Sequence, residues 1–225
     1  MNNDACENYR KALFNVQEAK AKYRKSDETV RLMAVTKTVP AEIVNTVIDC
    51  GADLLGENRV QEYLEKKDIY KPAEVHFIGH LQSNKIKYII NSVECIHSVD
   101  SLDLAKEISK AAEKNGKIMK VLAEVNIGGE ESKFGISPEK LDELIYGVSE
   151  LHGIKLCGLM TIPPKGNSEA YFAKMQELFC EMGNKKAENV SMDILSMGMS
   201  ADYVEAIKYG SNIVRIGSGI FGARK

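Results

Sequence analysis

Short apolar runs and amphipathic stretches alternate along almost the whole chain. RLMAVTK (31–37), DLLGEN (53–58), EVHFIG (74–79) and ECIHSVD (94–100) are each too short for a helix, as are KVLAEVNIG (120–128), KLCGLMTI (155–162), MDILSMG (192–198) and NIVRIG (212–217). Their Val, Ile and Leu content reads as eight strands. Between them, apolar residues recur at helical spacing. Ile43, Val44, Val47 and Ile48 share one face of a helix that Pro40 opens and Gly51 ends. Further helices are expected over 59–67 and 83–91, from Ser101 to about 115, from Ser137 to about 150, over 168–186 and from Ser200 to about 209. One more, over 3–25, carries Ala12, Leu13, Val16 and Ala19 as a weak apolar stripe ahead of the first strand.

Strand–helix alternation implies parallel strands joined by helical crossovers. Eight such units in about 200 residues predict a (β/α)8 TIM barrel with an extra N-terminal helix. A doubly wound open sheet is the alternative, but it usually places its glycine-rich loop after the first strand; here the glycine-rich segment comes last. The chain has no evident linker or low-complexity stretch, so residues 1–225 are expected to form one domain.

Composition narrows the picture. The chain has 225 residues, 44% of them hydrophobic and 28% charged, with a net charge of −2. That supplies a sizeable core and excludes the profile of a disordered chain. Lysine and arginine are dispersed, so no electrostatic footprint for nucleic acid is present. No apolar run approaches the roughly 20 residues that span a bilayer, and the polar N-terminus has no signal-peptide core. The five cysteines are odd in number and lack C-x-x-C spacing. They read as reduced thiols of a cytoplasmic protein, not a disulfide framework.

In a barrel of this kind, chemistry gathers at the C-terminal strand ends. Lys37 ends an apolar run there. A lysine stem buried in the barrel mouth favours a neutral, nucleophilic amine, although a solvated lysine at a strand end has the same local sequence. At the other end of the chain, Gly217-Ser-Gly-Ile-Phe-Gly222 fits G-x-G-x-x-G but opens no βαβ unit. It is a poor dinucleotide fingerprint and a good phosphate cradle, since the loops after strands 7 and 8 of such barrels commonly bind phosphate. Gly217 and Gly219 would let backbone N–H groups approach, and Ser200 and Ser218 would add hydroxyls. An amine nucleophile and a phosphate cradle in one mouth point to a phosphorylated aldehyde. Pyridoxal 5′-phosphate (PLP) meets that description, and a sugar-phosphate aldolase would use the same two devices.

Several segments carry a resemblance: Ala34-Val-Thr-Lys-Thr-Val-Pro40, Gly56-Glu-Asn-Arg-Val-Gln-Glu62, His76-Phe-Ile-Gly-His-Leu-Gln-Ser-Asn-Lys85, Gly158-Leu-Met160, Leu195-Ser-Met-Gly-Met-Ser-Ala-Asp202, Val214-Arg-Ile-Gly-Ser218 and Ile220-Phe-Gly-Ala-Arg224. In this order, over nearly the whole chain, they resemble the pyridoxal phosphate homeostasis (YggS/PROSC) family, whose members look like the barrel domain of alanine racemase standing alone. The resemblance implies a Schiff base between PLP and Lys37. It implies that Arg215 faces the pyridine nitrogen, that Ser200, Gly217 and Ser218 contact the phosphate with Ser196 a further contact, and that Asn58 lies near the ring. Met199 belongs to a methionine group read as packing, close enough to touch the cofactor. A guanidinium only donates, so the ring nitrogen it faces is unprotonated and a weaker electron sink. Racemases of this fold also need a base from a second, C-terminal domain, which this chain is read as lacking. The family implication is a non-catalytic carrier or regulator of PLP supply that passes cofactor to apo PLP-dependent enzymes, favoured as a monomer. A PLP racemase or decarboxylase-like enzyme is the alternative.

Other residues are weighed against plainer roles. His76 and His80 form H-x-x-x-H without an evident third ligand, so no metal site is expected. Glu57 is expected to bond nearby loop groups or to accept a proton near the cofactor. Lys133, in the loop after strand 5, is a candidate second amine for cofactor entry and exit; most loop lysines are simply solvated.

Overall fold

The computed structural model describes residues 2–185 and 187–222, so Lys186 and the last matched residues, Ala223 and Arg224, lie outside the described residues. The leading helix is α1 (Asn2–Tyr23). Its Ala5, Tyr9, Ala12, Val16 and Ala19 recur at intervals of three and four and are all buried, the stripe a helix needs to dock on a larger body. The remaining elements are β1 (Arg31–Val35), α2 (Ala41–Asp49), β2 (Leu54–Glu57), α3 (Val60–Lys66), β3 (Glu74–Phe77), α4 (Ile86–Ile89), β4 (Cys95–Val99), α5 (Leu102–Lys114) and β5 (Met119–Glu124), then α6 (Leu141–Ser149), β6 (Ile154–Met160), α7 (Ser168–Gly183), β7 (Val190–Ser196), α8 (Tyr203–Lys208), β8 (Ile213–Ile216) and α9 (Ser218–Phe221).

The eight strands close in sequence order into a parallel barrel, with β1 pairing β8 through Met33↔Arg215 and Ala34↔Ile216. The predicted TIM barrel is therefore the observed fold. Alternation along each strand sorts its side chains. Outward residues such as Leu32, Ala34, Leu55, Phe77, Ile96, Val121, Leu195 and Val214 join one apolar shell beneath the helices. Met33, Val35, Leu54, Ile78 and Ile213 form a separate inner cluster, and Cys95, Leu122, Cys157 and Met160 form another, with Ile194 packed against both. The same alternation sends His76, His97, Glu124, Ser196 and Arg215 inward, all of them buried. Gly158 lets β6 and β7 close up. It sits at φ +152°, and a Cβ there would lie 1.8 Å from the Ile194 carbonyl oxygen.

One expectation is corrected. Cys6 and Cys50 are joined as a disulfide, with Cα atoms 5.8 Å apart and a sequence separation of 44. Cys95, Cys157 and Cys180 are free. The pairing arises because α1 docks across the end of α2, where the Tyr9 hydroxyl also donates to the Gly51 carbonyl at 3.2 Å; no sequence spacing signals that docking. On its other flank, α1 holds α9 through Asn8 Nδ2, which donates to the Ile220 carbonyl at 3.1 Å. Cys50→Ser is expected to lower stability by about 2–4 kcal/mol, read from urea unfolding of the oxidised proteins. Equal midpoints would show that the bond contributes nothing. Among the described residues, no helix is long and apolar enough to cross a membrane.

Candidate functional site

The first component stands at the end of β1. Thr36 is buried and Lys37 half-buried. The Thr36 N–H donates to the Gly56 carbonyl at 3.0 Å, and its hydroxyl donates to Glu57 Oε1 at 2.7 Å. Lys66 Nζ donates to the Thr36 carbonyl at 2.9 Å and pairs with Glu57 and Glu62, each at 2.8 Å. The Tyr70 hydroxyl donates to the same Glu57 oxygen at 2.5 Å. Burial and the adjacent carboxylate push the Tyr70 phenol well above its ordinary value, so it remains a donor. Glu57 thus binds side chains from β1 and the α3 region and, with Lys66, clamps the backbone that presents Lys37. Beside it, half-buried Asn58 has its Oδ1 buried without a hydrogen-bond partner.

The second component forms where β7 and β8 end. Ser200 Oγ accepts from the Gly219 N–H at 3.1 Å and lies 3.2 Å from Ser218 Oγ. A Cβ on Gly219 would press to 2.9 Å from Ile216 Cγ2 and 3.4 Å from Ser200 Oγ, so glycine is what allows this close turn. Gly217 packs on Val35, the last residue of β1. The barrel closure that pairs β1 with β8 therefore sets Lys37 and this cradle at the same end of neighbouring strands. Met199, partly exposed, sits in the loop leading to Ser200, with its N–H donating to Asp202 at 2.7 Å.

The third component runs down the barrel axis. Buried Arg215 donates from Nη1 to Ser196 Oγ at 2.7 Å and from Nη2 to the Thr161 carbonyl at 2.8 Å. Burial pulls its guanidinium down to about 10, opposed by Glu124 and Asp202, so it stays charged at neutral pH. Ser196 Oγ lies 3.2 Å from His97 Nδ1, His97 Nε2 lies 2.8 Å from His76 Nδ1, and His76 Nε2 lies 2.7 Å from Glu74 Oε1. The His76 bond and then Arg31, paired at 2.7 Å, hold the Glu74 carboxyl down to about 2. Burial, then His76 and Arg215, push His97 well below its ordinary value, leaving it neutral. Arg215 can only donate and the Glu74 carboxylate can only accept. One proton order that satisfies every partner runs through this series. Arg215 donates to Ser196, Ser196 to His97, His97 to His76 and His76 to Glu74, a cooperative relay across the barrel interior. Ser196, expected among the phosphate contacts, stands beneath Arg215, with its oxygen engaged by the guanidinium and His97.

Glu124, at the end of β5, escaped the sequence reading. It is buried, and desolvation followed by Asp100 raises its carboxyl to about 7, against the lowering pull of Arg215. Its signal was present in the alternation Leu122–Glu124, which turns both residues inward. A carboxyl raised from 4.5 to about 7 binds a proton in the folded state that the unfolded chain has released. Its stabilising contribution is complete below the unfolded value and is lost as pH rises through about 7, by at most about 3 kcal/mol. Urea midpoints across that window should fall with pH in the wild type and flatten in Glu124→Gln; parallel profiles would contradict the assignment.

Other candidates separate. His76 lies inside the barrel, whereas His80 is exposed at the mouth, 3.7 Å from Asp100 and stacked on Phe134 at 3.8 Å between ring centroids. Lys133 pairs with Glu130, in a loop that Asn126 Nδ2 holds through the carbonyls of Glu130 and Lys133. A cavity of about 690 Å3 between this loop and α7, lined by Asn126, Glu130, Ser137 and Lys174 among others, contains none of the Lys37, Arg215 or cradle residues.

Comparison with known proteins places the whole chain. The alanine racemase N-terminal domain family matches residues 9–225. A pyridoxal phosphate homeostasis protein of Aquifex aeolicus is 44% identical, covering 99% of both chains. A solved protein of unknown function from Bifidobacterium adolescentis superposes with a TM-score of 0.91 at 33% identity, covering 98% of this chain and 95% of that one. PipY of Synechococcus elongatus, solved with PLP bound, superposes with a TM-score of 0.80 at 30% identity, covering 92% of this chain and 98% of its own. A buried relay beneath an arginine, a cradle of serines and glycines, and a lysine on the adjoining strand thus occur in a chain that belongs to the alanine racemase N-terminal domain family, among the pyridoxal phosphate homeostasis proteins.

Proposed function

We propose that this chain binds PLP at the C-terminal mouth of its barrel through a Schiff base with Lys37, and that it buffers or delivers the cofactor without substrate turnover. The observation that carries this reading is the placement of Lys37, just past β1, at the same barrel end as the Ser200–Gly217–Ser218 cradle that follows β7 and β8. The buried, unpartnered Oδ1 of Asn58 beside Lys37 fits a polar ligand in the same mouth. PLP supplies an aldehyde that condenses reversibly with a primary amine, losing water, and a phosphate that hydroxyls and backbone N–H groups can hold. Ser200, Gly217, Ser218 and Gly219 provide that cradle, Lys37 provides the amine, and Met199 and Asn58 flank the site. Arg215 would offer the ring nitrogen a donor, not a carboxylate. The Ser196–His97–His76–Glu74 relay holds that donor in place, so little carbanion stabilisation is available. The name shared by the relatives and the PLP in the Synechococcus structure support the same reading. The protein is proposed to act in the cytoplasm as a single-domain monomer that serves apo PLP-dependent enzymes.

A second reading, racemase or decarboxylase-like turnover, is favoured by one observation: Glu124, near Arg215, has a carboxyl poised near neutrality. Incubating PLP-loaded protein with L-amino acids in deuterated water separates the two. The carrier reading expects α-proton exchange no faster than with PLP alone, whereas exchange and racemisation at catalytic rates would establish the second.

A further inference from the structure

Toward the base of the barrel lies a cluster that joins the proposed PLP site only through Ser196, which bonds both His97 and Arg215. His76 on β3 and Cys95 and His97 on β4 are buried and offer one donor atom each, all within 4.8 Å of one another. The fold brings them together directly. His76 and Cys95 are partners across the β3–β4 ladder, and Cys95 and His97, two residues apart, project to the same inner face. His76 Nδ1 and His97 Nε2 face each other at 2.8 Å. The outer nitrogen of each ring meets an oxygen, Glu74 Oε1 at 2.7 Å for His76 and Ser196 Oγ at 3.2 Å for His97. Metal-bound imidazoles are held in this way, with an outer oxygen fixing the ring while the inner nitrogen points at the ion. A cavity of about 240 Å3, lined by His76 and Cys95 with Arg31, Glu74, Lys120 and Asp193, adjoins the cluster. It gives a path in and room for a fourth ligand.

We propose that His76, Cys95 and His97 form a binding site for one transition-metal ion of the zinc class, at the end of the barrel opposite Lys37. Two imidazoles and a thiolate suit zinc-class ions and disfavour magnesium and calcium, which take oxygen ligands. Three protein ligands and an open fourth position make a complete tetrahedral set. Ordinary zinc bond lengths place the two nitrogens about 3.3 Å apart and the sulfur about 3.6 Å from each. The rings therefore part by roughly 0.5 Å and the Cys95 side chain closes by up to about 1 Å on binding. Cys95 Sγ gives its proton to solvent. The His97 proton passes from Nε2 to Nδ1, and Ser196 Oγ then accepts from both His97 and Arg215. One proton leaves per ion bound, and the ion gains a connection through Ser196 to Arg215.

Cobalt(II) is the probe, because its visible spectrum reports geometry and thiolate ligation. The protein as purified, cofactor included, is freed of metal with a chelator, titrated with cobalt(II) and followed by difference spectra. One equivalent should produce tetrahedral ligand-field bands and a thiolate-to-cobalt charge-transfer band, both erased by one equivalent of zinc and unmoved by magnesium. Cys95→Ser should abolish the charge-transfer band, while Cys180→Ser, at the exposed free cysteine, should keep it. Glu74→Gln should weaken cobalt binding roughly 10–100-fold with the band retained. X-ray absorption at the zinc edge of the wild type needs no variant and should show one sulfur and two imidazoles. A wild type without the thiolate band, a band surviving in Cys95→Ser, or a zinc shell without sulfur would each overturn the proposal.

Discussion

Lys37→Ala, incubated with PLP and desalted, is expected to show no visible absorbance beyond that of free cofactor, and its PLP affinity should fall on the order of 100-fold, about 2.7 kcal/mol. The reason lies in how the mouth divides its work. In the proposed site the cradle of Ser200, Gly217, Ser218 and Gly219 would hold phosphate without covalent chemistry, and it stays intact in the variant. The amine disappears with Lys37, and with it the conjugated linkage that absorbs. Lys133, the other lysine considered for this role, pairs with Glu130. A substitution in the cradle, such as Gly219→Val, should do the reverse. It crowds Ile216 and Ser200, so it should weaken binding while leaving the band of whatever PLP still binds. Absorbance and equilibrium dialysis together separate the two losses. A Lys37→Ala protein that kept the wild-type band would refute the assignment of the amine.

Glu57→Ala is expected to destabilise the fold by about 3 kcal/mol. Its carboxylate is fully buried and serves Thr36, Tyr70 and Lys66 together. Removing it strands the buried Lys66 ammonium with Glu62 as its remaining ion pair and leaves the Tyr70 hydroxyl only the Thr36 hydroxyl, at 3.5 Å. A buried charge that loses its partner costs more than the pair contributes. The double variant Glu57→Leu/Lys66→Met should therefore recover much of the loss, because neither charge remains. Urea unfolding of Glu57→Leu, Lys66→Met and the double completes the cycle. Additive losses would mean that the pair is not coupled. Since the same residues clamp Thr36, Glu57→Ala should also weaken PLP retention at Lys37.

The barrel was legible because each strand is short, β-rich and bounded by turn residues, and because strict alternation admits few topologies. Lys37 was legible as the polar end of an apolar run, and the cradle as a glycine cluster in the one place where a dinucleotide loop makes no sense. The interior relay was not. His76, His97, Ser196 and Arg215 stand on β3, β4, β7 and β8, and only barrel closure turns their alternate positions toward one another across these four strands. The H-x-x-x-H pair, from which no metal site was expected, makes no shared site for a related reason. Four residues along a strand span about 13 Å, so His76 points into the barrel while His80 reaches the mouth. Cys95, at the start of β4, completes a trio with His76 and His97 that no sequence spacing announces. The Cys6–Cys50 bond was hidden because it depends on the docking of α1, a tertiary event between residues 44 apart.

Borohydride reduction of the PLP-loaded protein, followed by mass mapping of its peptides, reads directly which residue carries PLP. One reduced pyridoxyl phosphate group per chain is expected, on Lys37. Modification spread over surface lysines, or a single adduct on another residue, would contradict it.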